Sequence, residues 1–230
     1  VKSLSIASRI DMTYLKMDVN ISMIENVVSK VKKYNFRSLV IPPLYIDDIR
    51  SIDRKIRLTT VISFPLGKDT VDKKIKVSLD ALNNGADEVD VVSNVSYILE
   101  NRYDRYFSEV KEIVKSIKEY YPDKIVKLIC EITLLSPRQL LKVLGIINQV
   151  KPDFFKTSTG FGYRGTSIGD VIFIRRYLEP EIGLKASGGI RSFIRAKMIL
   201  DSGADIIGSS SGIKIIEEER KWYYQIKRGE

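Results

Sequence analysis

Histidine is absent from all 230 residues. A Ser-His-Asp triad, a Cys-His pair and a histidine-built zinc site are therefore excluded. Any nucleophile or acid–base group has to be Lys, Asp, Glu, Tyr, Ser or Thr, and carboxylate-held Mg²⁺ is the metal chemistry left open. Cysteine is almost as scarce. Cys130 stands alone, so no intrachain disulfide can form, which fits an intracellular, cytoplasmic setting. No apolar run approaches the roughly 18–20 residues needed to span a bilayer, and the first residues are too polar for a secretory signal. No membrane partner is expected. Linkers and low-complexity tracts are also missing, which leaves one domain over residues 1–230, the size of a compact β/α barrel.

With 44% hydrophobic residues the chain can bury a large core, and with 29% charged residues it is not expected to be disordered. The net charge of +9 raises nucleic acid as a partner. However, pairs such as Lys32-Lys33 and Lys73-Lys74 lie among apolar residues at helical spacing. A solvated basic surface that attracts an anionic small molecule accounts for them, and no nucleic acid is expected.

Strand-like runs alternate with amphipathic stretches along the chain. Strands are predicted near Ala7–Asp11, Ser38–Ile41, Arg57–Ser63, Glu88–Val92, Val126–Ile132, Phe154–Thr157, Gly183–Lys185 and Asp205–Gly208. Helical periodicity covers Asp72–Asn83, Tyr106–Tyr120, Ser192–Ser202 and Ile213–Ile226, and Ser136-Pro137 reads as an N-cap followed by proline at the first helical position. No Gly-x-Gly-x-x-Gly follows the first strand, which disfavours a dinucleotide fold. The pattern predicts an α/β fold, a single-domain (β/α)8 TIM barrel, with its site at the C-terminal ends of the strands.

Four features lie at those ends. Lys156 closes an apolar strand and is followed by Thr157-Ser158-Thr159-Gly160. A lysine there either snorkels to the surface or is buried for its chemistry. Lys185 occupies the same kind of place one strand later. Two ammonium groups about 4 Å apart repel by about 4 kcal/mol at an effective dielectric near 20, so one of them is expected to be a neutral, nucleophilic amine. In Glu88-Val89-Asp90-Val91-Val92, alternation turns Asp90 to the barrel interior, where a carboxylate could offset the lysines and relay a proton. Gly188-Gly189 and Gly208-Ser209-Ser210-Ser211-Gly212 form two glycine-containing loops in the last two units, where barrels bind phosphate.

The motifs Ile10-Asp11-Met12-Thr13, Gly85-Ala86-Asp87-Glu88-Val89-Asp90, Phe155-Lys156-Thr157-Ser158-Thr159-Gly160, Lys185-Ala186-Ser187-Gly188-Gly189-Ile190-Arg191 and Gly208-Ser209-Ser210-Ser211-Gly212 occur in family order from first strand to last. Together they resemble the deoxyribose-phosphate aldolase family. That resemblance implies a class I aldolase, without metal or organic cofactor, which cleaves 2-deoxy-D-ribose 5-phosphate to acetaldehyde and D-glyceraldehyde 3-phosphate. By motif it implies Lys156 as the Schiff-base lysine, Lys185 as the lysine that lowers its pKa, and Asp90 as the relay carboxylate. It further implies Gly160, Gly188, Gly189, Gly208, Ser210 and Ser211 around the phosphate, Asp11 and Thr159 along the sugar, and a homo-oligomer. Met12 departs from the histidine common in the family, Val40-Ile41-Pro42 lacks a frequent cysteine, and neither Tyr223 nor Tyr224 takes the place of a terminal tyrosine by motif. A Schiff-base aldolase for ketose phosphates and a basic binding barrel are the rival readings.

Overall fold

Short β-branched strands that must be covered on both faces form parallel sheets, and the intervening helices do the covering. In the computed structural model, which describes residues 5–15, 18 and 20–228, this produces β1 (Ile10–Thr13), α1 (Ile21–Tyr34), β2 (Ser38–Ile41), α2 (Ile46–Ile52), β3 (Leu58–Ile62) and α3 (Val71–Asn83). There follow β4 (Glu88–Val92), α4 (Val95–Leu99), α5 (Tyr103–Tyr120), β5 (Ile125–Ile129), α6 (Pro137–Val150) and β6 (Phe154–Lys156). The chain continues through α7 (Ile168–Tyr177), β7 (Gly183–Ser187), α8 (Phe193–Asp201), β8 (Ile206–Ser209) and α9 (Gly212–Arg228). The eight strands are parallel and close into a barrel in sequence order, β8 pairing with β1. The fold is a TIM barrel; residues 1–4 and 229–230 of the expected span lie outside the described residues. Among the described residues no helix is long and apolar enough to cross a membrane.

Alternation along each strand sorts side chains into two layers. Outward-facing Ile10, Leu39, Leu58, Val89, Val91, Leu128, Phe155 and Leu184 join helix residues such as Ile24, Val28, Ile113, Leu144 and Ile147 in one apolar cluster between sheet and helices. The inward set is largely polar: Asp11, Ser38, Thr59, Glu88, Asp90, Lys127 and Lys185 are all buried. Local signals fix the helix ends. Ser136 and Gln139 form a reciprocal capping box with Pro137 at the first helical position, and Ser192 caps α8.

The first strand differs from its expected range. Ile6–Arg9 is a turn of 3-10 helix, and β1 runs Ile10–Thr13. The Ile6 amide and the Ser5 hydroxyl donate to Glu219 of α9, and the Arg9 guanidinium donates to the carbonyls of Ala204 and Asp205, so distant groups bend the segment. Likewise β5 stops at Ile129, and Ile132–Leu134 forms a 3-10 turn. Met12 faces outward, packed in the apolar cluster where a Cβ on Gly212 would lie 2.8 Å from its sulfur. That placement explains why an apolar side chain serves there.

Candidate active site

Strand register brings the charged residues together. Asp90 pairs with Lys127 across β4 and β5, and Lys156 pairs with Lys185 across β6 and β7. Asp90 lies between all three lysines. Its Oδ1 accepts from Lys127 Nζ at 2.8 Å, and its Oδ2 accepts from both Lys156 Nζ and Lys185 Nζ at 2.8 Å. Lys185 also donates to Asp11 Oδ2 at 2.5 Å. Below this layer, Arg37 donates to Asp11 and, through both terminal nitrogens, to Glu88, while Lys127 contacts Glu88 at 2.5 Å.

Burial is the largest influence on Lys156 and lowers its pKa from 10.5 to about 8. Asp90 opposes that shift, and the Lys185 charge reinforces it. Charge repulsion is the cause expected from the sequence; in the structure, burial outweighs it. Burial alone would raise the Asp90 carboxyl, but Lys127, Lys156 and Lys185 outweigh it and hold Asp90 well below the usual carboxylate range. For Asp11, too, burial is outweighed, by Lys185, Lys127 and Arg37, and its carboxyl is lowered. Burial pushes the lone thiol of Cys130 up to about 12, which removes it as a nucleophile.

Lys156 sits at the floor of a cleft of about 300 Å³ lined by Thr13, Leu15, Thr159, Gly160, Phe161, Ser187–Ile190, Arg191 and Gly208–Ser210. Six of the eight candidate binding residues line it: Thr159, Gly160, Gly188, Gly189, Gly208 and Ser210. Gly160, Gly188 and Gly189 have φ of +90°, +91° and +70°, a backbone conformation that glycine adopts without strain. A Cβ on Gly165 would lie 2.4 Å from the Gly188 carbonyl, so the loops after β6 and β7 touch backbone to backbone. Beside them α9 begins at Gly212, and the exposed Arg191 adds a cation, an arrangement suited to an anion such as phosphate.

Two candidate residues lie outside the cleft wall. Asp11 is fully buried beneath Lys185, and Ser211 donates its N–H to Ser209 Oγ while its carbonyl accepts from the Ile215 amide. Thr159 lines the cleft, but its hydroxyl donates to Glu131 Oε2 at 2.6 Å and accepts from the Phe161 amide. Neither Tyr223 nor Tyr224 lines the cleft. Tyr223 packs on Phe193, and Tyr224 lies under the Arg228 guanidinium.

Sequence reasoning missed Lys127, Arg37, Glu131 and Ser187. Lys127 carried the same signal as Lys156, a lysine inside an apolar strand. Ser187 is buried, lines the cleft, and its hydroxyl has no hydrogen-bond partner among the described residues, which leaves it available to a ligand. Among the described residues no three acids or cysteines converge as metal ligands do.

Comparison with known proteins agrees with this geometry. The chain is 39% identical over 220 residues to the deoxyribose-phosphate aldolase of Thermoanaerobacter sp. (strain X514), covering 95% of this chain and 98% of that protein. Among solved structures, an aldolase named QR15 superposes with a TM-score of 0.89 at 34% identity, covering 96% of this chain and 99% of that one. The tetrameric deoxyribose phosphate aldolase of Aeropyrum pernix superposes with a TM-score of 0.86 at 35% identity, covering 94% and 92%. No family model matches the chain.

Proposed function

The chain belongs to the deoxyribose-phosphate aldolase family, and on that premise we propose that Lys156 forms the Schiff base by which it cleaves 2-deoxy-D-ribose 5-phosphate. The single observation that supports this most strongly is the Lys156–Asp90–Lys185 arrangement at the floor of a cleft with an anion-binding end. The neutral Lys156 amine attacks C1 of the open-chain aldehyde, and loss of water leaves an iminium. Deprotonation of the C3 hydroxyl then breaks the C2–C3 bond. Its electron pair enters the iminium as an enamine, and D-glyceraldehyde 3-phosphate departs. Protonation at C2 and addition of water release acetaldehyde and restore the amine. Asp90 Oδ2, shared by Lys156 and Lys185, gives the protons a route between the two amines.

The phosphate of the substrate lies against Gly160, Gly188, Gly189, Gly208 and Ser210, with Arg191 at the rim; this binding role rests on the positive-φ glycines and the start of α9. Asp11 acts from below by holding Lys185, and Thr159 shapes the wall through its bond to Glu131.

Borohydride reduction in the presence of deoxyribose 5-phosphate, followed by peptide mass mapping, tests the assignment. The expected result is one adduct on Lys156 and none on Lys185, with acetaldehyde released in the absence of borohydride. An adduct on Lys185 would overturn the roles, and turnover of ketose phosphates alone would overturn the substrate.

A homo-oligomer is part of the same reading. The Aeropyrum pernix relative is tetrameric, and neighbouring α7, α8 and α9 here expose Ile172, Tyr177, Ile194, Met198 and Trp222. Sedimentation equilibrium should give a multiple of the chain mass; a monomer at micromolar concentration would contradict it.

A further inference from the structure

We propose that Lys127, which neither lines the cleft nor contacts Lys156, is a positioning residue that acts through Asp90. It holds one carboxylate oxygen so that the other faces Lys156 and Lys185, and its charge, set against Glu88, eases the loss of the Lys156 proton. This inference rests on the Schiff-base reading of Lys156.

The geometry comes first. Lys127 is fully buried on β5, and its Nζ bridges Glu88 Oε2 at 2.5 Å and Asp90 Oδ1 at 2.8 Å. A carboxylate bound at one oxygen only could rotate about its χ2 torsion, which is soft. With Lys127 on Oδ1, the Oδ2 atom is fixed midway between the two amines on β6 and β7. The side chain therefore sets which oxygen takes part in proton transfer.

Charge counting comes second. Of the described groups packed around Lys156, β1 supplies Asp11, and Arg37 enters just before β2. The anions Glu88 and Asp90 come from β4, and the cations Lys127 and Lys185 from β5 and β7. Thr59 of β3 and Ser209 of β8 are uncharged. Farther out, Glu131 is turned onto Thr159, and Arg191 stands at the cleft rim. Within the buried layer, Asp11, Glu88 and Asp90 are thus matched by Arg37, Lys127 and Lys185 before Lys156 is considered; Arg57 stands 3.8 Å from Glu88 but is half-exposed, and solvent screens its charge. A protonated Lys156 would be a fourth cation facing three anions in a buried layer, so it holds its proton less tightly than a free lysine. Without Lys127, the three anions would face Arg37, Lys185 and a charged Lys156, and the ammonium form would gain.

The signs can be tested directly. In Lys127→Met, the loss of a neighbouring cation makes protonation of Lys156 easier. The rising limb of adduct formation should therefore move up by about one pH unit or more, a rate loss of about 10-fold at pH 7. In Glu88→Gln, the loss of an anion should move the limb down. The double variant Lys127→Met/Glu88→Gln removes one charge of each sign and should return the limb toward the wild-type position.

Two readouts are needed: the pH dependence of borohydride-trapped adduct with acetaldehyde, and competitive acetylation of Lys156 by acetic anhydride against pH, mapped by peptide. The second reads the ionisation of Lys156 without requiring any turnover. Limbs that stay still, or that move the same way in Lys127→Met and Glu88→Gln, would overturn the proposal. Should Lys127→Met not fold, the comparison of Glu88→Gln with the double variant must show the upward move or the proposal fails. Acetylation curves that move as stated while wild type forms no adduct would uphold the charge coupling of Lys127 to Lys156 and overturn the Schiff-base reading.

Discussion

Lys156→Met is expected to lower turnover of deoxyribose 5-phosphate by on the order of 10⁴-fold or more while leaving the protein as stable as before, or more so. The loss follows from the role of the amine, since among the described residues that line the cleft no other is a lysine. The gain follows from linkage. The fold lowers the Lys156 pKa from 10.5 to about 8, chiefly by burial, so at pH 7 the unfolded chain binds this proton more tightly than the folded one. That difference opposes folding by roughly 3 kcal/mol below about pH 8 and fades as pH rises toward the unfolded value. Methionine fills similar space without the charge, so urea unfolding at pH 7 should show a midpoint that is unchanged or raised. The wild-type enzyme should also form its adduct faster as pH rises through about 8. A clear fall in stability on removing Lys156 would mean that its contact with Asp90 outweighs its desolvation.

Asp90→Asn should act on stability and rate together. The carboxylate is the shared partner of Lys127, Lys156 and Lys185, and the amide leaves these buried cations without it. Breaking such a cluster from one side costs about 3–5 kcal/mol, and losing the proton route slows turnover by about 10²–10⁴-fold. The pH dependence has a definite sign. Asp90 is held well below the usual carboxylate range by its lysines, so its contribution is full above its unfolded value near 4 and is lost as pH falls through the lower folded value. Wild type and Asp90→Asn should therefore differ strongly in urea unfolding at pH 7 and less at very acidic pH. An equal gap across that range would show that the cost of the amide does not come from the lost charge.

Much of this architecture was legible before any coordinates. Ser38–Ile41 and Glu88–Val92 were predicted residue for residue, because a covered parallel strand is a short apolar run bounded by polar turns. Alternation turned Asp90 inward correctly. The Ser136 cap was readable because capping is a local hydrogen bond. The failures were not local. Ile6–Arg9 is bent by Glu219 and by carbonyls near the end of the chain, and no neighbouring residue announces either. Arg37 lies just before a strand in an ordinary turn, and only barrel closure brings it under Asp11 and Glu88. Thr159 lines the cleft, but nothing near it in sequence announces that Glu131, from the loop after a different strand, holds its hydroxyl.

The inward polar layer also bears on how the chain finds its fold. Side chains in a strand alternate with a period of two, so a slip of one residue in any pairing exchanges the inner and outer sets. In this barrel such a slip would push Asp11, Glu88, Asp90, Lys127, Lys156 or Lys185 into the apolar layer under the helices, each away from its partners. Unpaired buried ions cost several kcal/mol apiece, far more than a slipped pair of purely apolar strands would lose. Misregistered barrels are thereby rejected during assembly, and the groups that carry the chemistry also proofread the closure of the sheet.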